Sequence, residues 1–180
     1  MDRRELLKLI ALATGSVMIG GELVLTACSR SSYEAIGRFT EADIALLDLV
    51  VDTILPQTDT PGAKEAGVGP FMSVIVTDCY TEQDQNAFYE GVNTLRKEHN
   101  FENLTPDQRT EVLKKLDAEA KAYQKPEGGS NHYFTMMKQL TITGYFTSEK
   151  GQKEALRYIP VPGKYDGNYP YQKGDRIIVY

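Results

Sequence analysis

The sequence predicts an all-α fold, a small bundle of five or six helices followed by an extended C-terminal arm rich in proline and tyrosine. Apolar residues recur at helical intervals between residues 44 and 144, and capping residues precede most of these segments. No alternating strand pattern of useful length appears before residues 176–180. A chain that is 41% hydrophobic and 25% charged can bury a core of this size without disulfide or metal staples.

Residues 1–27 are predicted to be an export signal that lies outside the fold. Arg3 and Arg4 precede an uncharged run from Leu9 to Gly21, which is too short to span a bilayer. The arginine pair ahead of a weakly hydrophobic core resembles the twin-arginine signal, whose cargo is usually exported already folded.

The end of this signal resembles a bacterial lipobox. Leu25-Thr26-Ala27-Cys28 places an apolar and two small residues before a cysteine, so Cys28 is predicted to be lipidated and to become the first residue. A diacyl anchor with an amine-linked chain would hold the protein at a membrane. Residues 28–39 are predicted to be a tether between this anchor and the helical domain.

The helical domain is predicted to span residues 40–157, and its first helix should lie at the centre. Thr40 is the predicted cap, and apolar residues from Ile44 to Leu55 cover almost the whole helix circumference. Pro56 ends this helix and opens a loop dense in turn residues. Pro70 suits the first turn of a second helix, where Cys79 falls on the apolar stripe and is predicted to be buried.

Three further helices have recognisable starts. Thr81 is predicted to cap the third, and Thr105 caps the fourth with proline at its first position and glutamine completing a capping box. Asn131 is predicted to cap the fifth helix. Its apolar face comprises Tyr133, Met137, Leu140 and Gly144. Thr147 or Ser148 is predicted to cap a short sixth helix that runs to about residue 158.

Residues 158–180 form the predicted arm. Its prolines forbid a continuous helix, and its five tyrosines supply the large amphipathic rings that are typical of binding hot spots. A segment of this composition cannot form its own core. It must pack either on its own helical domain or on a partner, and the sequence leaves both open.

Few residues of the chain suit catalysis. A net charge of −5 argues against a nucleic-acid partner, and two cysteines with two histidines exclude a zinc ribbon or a haem attachment site. No glycine-rich dinucleotide or phosphate motif is present, so no cofactor site and no metal site is predicted on this chain. An enzyme that uses Cys79, His99 or His132 is the least favoured hypothesis.

Four stretches, taken in order, resemble gluconate 2-dehydrogenase subunit 3, the small subunit of membrane-bound flavin-dependent sugar dehydrogenases. They are the twin-arginine leader, residues 46–56 running into Thr58-Asp59-Thr60-Pro61-Gly62-Ala63, the segment Gly144-Tyr145-Phe146-Thr147-Ser148-Glu149 with its flanks, and residues 158–165. The second and third stretches together carry most of the specificity.

The resemblance implies an accessory, non-catalytic role. In this family a large glucose-methanol-choline type flavoprotein holds FAD and oxidises the sugar, often passing electrons to a haem c subunit. The small subunit supplies the signal for the twin-arginine translocase and supports maturation of its partner. Together with Cys28, this predicts a periplasmic, membrane-anchored lipoprotein, with the choice between inner and outer membrane left open.

Binding a folded flavoprotein before export requires a large interface, on the order of 2,000 Å² or more. Two segments are predicted to form much of it, the loop from Thr58 to Val68 and the arm from Tyr145 through Tyr171. The predicted contact residues are Thr60, Pro61, Gly62, Tyr145, Phe146, Tyr158, Pro160, Pro162, Tyr165, Tyr169 and Tyr171. The alternative function is a stand-alone envelope lipoprotein that binds carbohydrate through its tyrosine-rich arm.

Overall fold

A computed structural model describes residues 39–161, 163–164 and 166–179. This part of the chain contains five α-helices, which confirms the predicted helical bundle. They are α1 (Glu41–Ile54), α2 (Val68–Cys79), α3 (Glu82–Lys97), α4 (Pro106–Ala122) and α5 (Tyr133–Thr147). A 3₁₀ turn at Phe101–Asn103 joins α3 to α4, and a π-type turn at Gly151–Ala155 follows α5. Arg3, Arg4 and Cys28 lie outside the described residues, as do Pro162 and Tyr165.

The helix starts agree with the predicted capping pattern in three cases. The hydroxyls of Thr40, Thr81 and Thr105 each accept a hydrogen bond from the backbone N–H three residues on. In turn, the side chains of Asp43 and Gln108 accept hydrogen bonds from the backbone N–H groups of the cap residues, which completes capping boxes at the starts of α1 and α4. Each cap satisfies N–H groups that the helix itself cannot pair.

Helix α1 lies at the centre of the bundle, as its apolar circumference predicts. It contacts all four other helices, and Leu46, Leu47, Val50 and Val51 are completely buried. An ion pair also joins α1 to α3, because Arg96 Nη1 lies 2.7 Å from Asp43 Oδ1.

Phe39 precedes α1 and closes one end of the core. Its ring stacks on Tyr89 at 4.5 Å between centroids and meets Phe88 edge-on at 5.9 Å. Phe39 is only 1% exposed, so it belongs to the core although it precedes the first helix.

Helix α5 is the second helix that contacts all the others. Gly144 allows α2 to approach it, because a Cβ atom at this position would lie 2.7 Å from the Phe71 ring. The predicted inner face of Met137, Leu140 and Gly144 is buried, and Tyr133 is half-buried.

Three predictions about helix ends were wrong. His132, not Asn131, caps α5, because its Nδ1 accepts the Phe134 N–H at 3.2 Å. The predicted short sixth helix is present as the π-type turn, and the Ser148 hydroxyl accepts the Gly151 N–H, but this helix ends at Ala155 and not near residue 158. Cys79 is exposed, since it is the last residue of α2 and lies one turn beyond Val76, the last buried residue of that helix.

Two short strands lie in the C-terminal region. β1 (Arg157–Tyr158) and β2 (Ile178–Val179) pair in parallel, with Arg157 opposite Ile178. None of the helices in the described part of the chain has the length and apolar character that crossing a bilayer demands.

Candidate partner interface

The loop between α1 and α2 is closed by its own backbone. The Ala63 N–H donates to the Leu55 carbonyl at 2.9 Å, which brings the two ends of the loop together. Gly62 is buried at this closure, and a Cβ atom there would lie 2.7 Å from the backbone nitrogen of Gln57. The glycine is therefore needed for the close approach of two backbone segments.

A buried hydrogen bond fastens this loop to α5. The Tyr145 hydroxyl donates to the Pro61 carbonyl at 2.7 Å, and both residues are buried; we call this bond the clasp. Beside it, Lys150 and Glu65 form an ion pair at the surface. The two segments on which the family resemblance depends thus meet in space, although the clasp joins positions 84 residues apart.

The predicted contact residues divide into two groups. Pro61, Gly62 and Tyr145 are buried within the chain and Thr60 is half-buried, so they shape the loop. The side chains open to solvent are Phe146, Tyr158, Pro160, Tyr169 and Tyr171. Among the predicted contact residues that the structure describes, those of this second group offer the most surface to a partner.

Three exposed residues near these segments are not among the predicted contacts. Pro56 and Gln57 are exposed at the tip of the loop, next to Thr58 and Asp59. On α5, Ile142 is 46% exposed and lies one turn before Phe146, which is 42% exposed. Its spacing of four residues from Phe146, on the side away from Leu140, is a signal that could have identified Ile142.

An acidic side chain is buried between α1 and α2. Asp48 of α1 packs against Gly69 at the start of α2, and its Oδ1 is buried without a hydrogen-bond partner among the described residues. Burial raises the pKa of this carboxyl, Lys64 opposes the shift, and Asp52 adds to it.

The other residues considered for chemistry occupy structural positions. His132 is the α5 cap, and burial lowers its pKa, with a smaller opposing effect from Glu119. His99 is half-buried just after α3, and Cys79 ends α2. Among the residues that the structure describes, no group of three His, Cys, Asp or Glu could hold a metal ion.

Comparison with known proteins gives one match. The family model described as gluconate 2-dehydrogenase subunit 3 matches residues 41–163, a range that contains all five helices, the loop and the clasp. No curated protein and no solved structure matches the chain. Because the family model covers more than half of the sequence, the chain belongs to the gluconate 2-dehydrogenase subunit 3 family.

Proposed function

We propose that this chain is the small subunit of a flavin-dependent sugar dehydrogenase complex. It would bind the catalytic subunit so that the two are exported together through the twin-arginine translocase, and it would support maturation of that subunit and tether it to the membrane. The observation that carries the proposal is the family match, since it covers the whole helical body. Membership of a family of dehydrogenase subunits indicates association with a catalytic subunit and an accessory role. We further propose that the partner carries FAD, that a haem c subunit joins the complex, and that a lipid anchor holds it at the membrane.

The geometry of the loop supports a binding role. A partner-binding segment that is already ordered loses less conformational freedom on association than a flexible one. The clasp and the Leu55–Ala63 backbone bond hold the loop from both sides, which leaves Gln57, Thr58 and Asp59 at its exposed tip.

The test is co-expression with the flavin-containing dehydrogenase subunit of the same organism. With this chain present, we expect the flavoprotein to appear in the periplasm with bound flavin and dehydrogenase activity; without it, both should fall. A flavoprotein that is exported and active at undiminished yield without this chain would contradict the proposal.

The export and anchoring steps have separate tests. Replacing Arg3 and Arg4 by lysine should retain both proteins in the cytoplasm, whereas Cys28→Ser should leave export intact and release the complex from the membrane. If the cysteine variant remains membrane-bound and the wild type carries no lipid label, tethering by Cys28 is wrong.

A stand-alone carbohydrate-binding role is the second candidate. The observation that favours it is the exposure of Tyr169 and Tyr171, whose rings could stack on sugar faces. Calorimetric titration of the isolated chain with gluconate and glucose distinguishes the two candidates, because an accessory subunit should bind neither sugar by itself.

A further inference from the structure

The outer side of α5 carries an uncharged strip. It consists of the exposed residues Gln139, Ile142, Thr143, Phe146 and Thr147, which we call the α5 strip. Ile142 and Phe146 are two of the three large apolar side chains that are exposed within the helical body, the third being Tyr123. The inner side of the helix already fills the core, so folding does not require apolar residues on the outer side.

The α5 strip carries less charge than the outer faces of α3 and α4. Of the fifteen residues of α5 only Lys138 is charged, whereas α3 has five charged residues among sixteen and α4 has eight among seventeen. Depletion of charge combined with exposed aromatic and aliphatic residues is the composition found at the centre of protein interfaces.

The flank of the strip has the polar character of an interface rim. A groove of about 310 Å³ runs between α4 and α5 beside Ile142. Its other wall holds Asp117, which pairs with Lys121 on its own helix and with Lys138 on α5. Interfaces commonly place such hydrogen-bonded charges around an apolar centre.

We propose that the α5 strip is the docking surface for the catalytic subunit of the dehydrogenase complex, with Phe146 as its principal contact; this inference rests on the function proposed above. The family match indicates that this chain has a catalytic subunit to bind, and an uncharged strip suits the apolar centre of such an interface. A second copy of this chain is a poorer occupant, because each copy carries a net charge of −5 and two acidic bodies repel each other.

The position of the strip supports the same occupant. Its C-terminal end adjoins Tyr145, whose hydroxyl fastens the loop, so the loop is held at the same end of α5 as Phe146. Five side chains alone cover less than the roughly 800 Å² per partner of a standard interface. The loop tip is therefore expected to extend the contact around the strip.

The test uses lysine substitutions on the full chain, co-expressed with the flavin-containing dehydrogenase subunit of the same organism. Lysine is chosen because it is tolerated near a helix C-terminus, where Phe146 lies. Phe146→Lys and Ile142→Lys should weaken binding about 30-fold or more, as expected for a charge placed at the centre of an apolar interface. Thr143→Lys places a charge on the same strip without removing a large apolar side chain, so it tests the strip even if the other two variants fail to fold.

Tyr123→Lys is the matched control, since Tyr123 is also aromatic, also 42% exposed and also at a helix C-terminus. Weakening of at least tenfold by the strip variants, with less than threefold by the control and unchanged urea midpoints, would support the docking surface. Smaller effects at the strip, or equal effects at the control, would overturn it and leave the proposed function standing.

Two further outcomes are decisive. If the wild-type chain does not bind the flavoprotein at all, the proposed function fails and the docking surface fails with it. If the wild-type chain forms a dimer by itself that Phe146→Lys dissociates, the occupant is a second copy and the proposal is wrong.

For the proposed complex, affinity should change little between 50 and 500 mM salt, because the central contacts carry no charge.

Discussion

Replacing Tyr145 with phenylalanine isolates the contribution of the clasp. The variant keeps the ring that packs in the core and removes only the hydroxyl that donates to the Pro61 carbonyl at 2.7 Å. Tyr145 is 5% exposed and Pro61 is buried, so water cannot replace the lost donor. Leaving a buried acceptor unpaired costs about 1–3 kcal/mol.

Urea unfolding followed by circular dichroism measures this loss. With a denaturant slope of about 2 kcal/mol per molar urea, a loss of about 2 kcal/mol lowers the midpoint by about 1 M. Trypsin cleavage after the exposed Lys64 should also become faster, since the loop is then held by fewer contacts.

Tyr171→Phe is the control, because its side chain is 72% exposed and the change should remain within about 0.5 kcal/mol. A Tyr145→Phe variant that unfolds at the wild-type midpoint, with unchanged cleavage after Lys64, would show that the clasp does not hold the loop.

Four other substitutions, with Ile142→Ala among them as a control, test the core and the charged groups. Leu47→Ala at the completely buried centre of α1 should cost about 2–5 kcal/mol in urea unfolding, whereas Ile142→Ala on the α5 strip should cost less than about 1 kcal/mol; equal losses would contradict the assigned burial. Burial alone would raise the pKa of Asp43, but its hydrogen bonds outweigh burial and hold the pKa below its ordinary value. Its stabilising effect is therefore present above the unfolded pKa of about 3.9 and is lost as the pH falls through the folded pKa. Asp43→Asn should unfold at lower urea concentration than the wild type at pH 6, and the difference between the two urea midpoints should be smaller at pH 3. A difference that does not change with pH would show that the ionised Asp43 carboxylate does not stabilise the fold. Burial lowers the pKa of His132 below its unfolded value of about 6.5, so the wild type should lose stability as the pH falls from 7 to 5. His132→Asn keeps a capping acceptor and should flatten that loss, and an unchanged pH profile would show that another group is responsible.

Features that depend on neighbouring residues were predictable from the sequence. The caps at Thr40, Thr81 and Thr105 are local, because each hydroxyl pairs with a backbone N–H only three residues away. The central position of α1 was also predictable, since a helix that is apolar all round has no face suited to water.

Features that depend on distant residues were not predictable in the same way. Nothing near Tyr145 in the sequence identifies Pro61 as the acceptor of its hydroxyl, so the clasp is not predictable from the sequence, although both residues are predicted contacts. Cys79 was misjudged because helical spacing gives the direction of a side chain but not the point at which the core ends. The cap at α5 was misjudged because histidine is an uncommon capping residue and a more usual one, Asn131, precedes it.

The long sequence separation of the clasp has a consequence for the order of folding. A contact between positions 84 residues apart forms only after a large loop has closed, and that closure is entropically costly until α1, α2 and α5 have assembled. The clasp should therefore be absent from the folding transition state. A substitution that removes it should leave the refolding rate near the wild-type value and accelerate unfolding. The clasp would then determine how long the folded subunit persists, and not how quickly it forms.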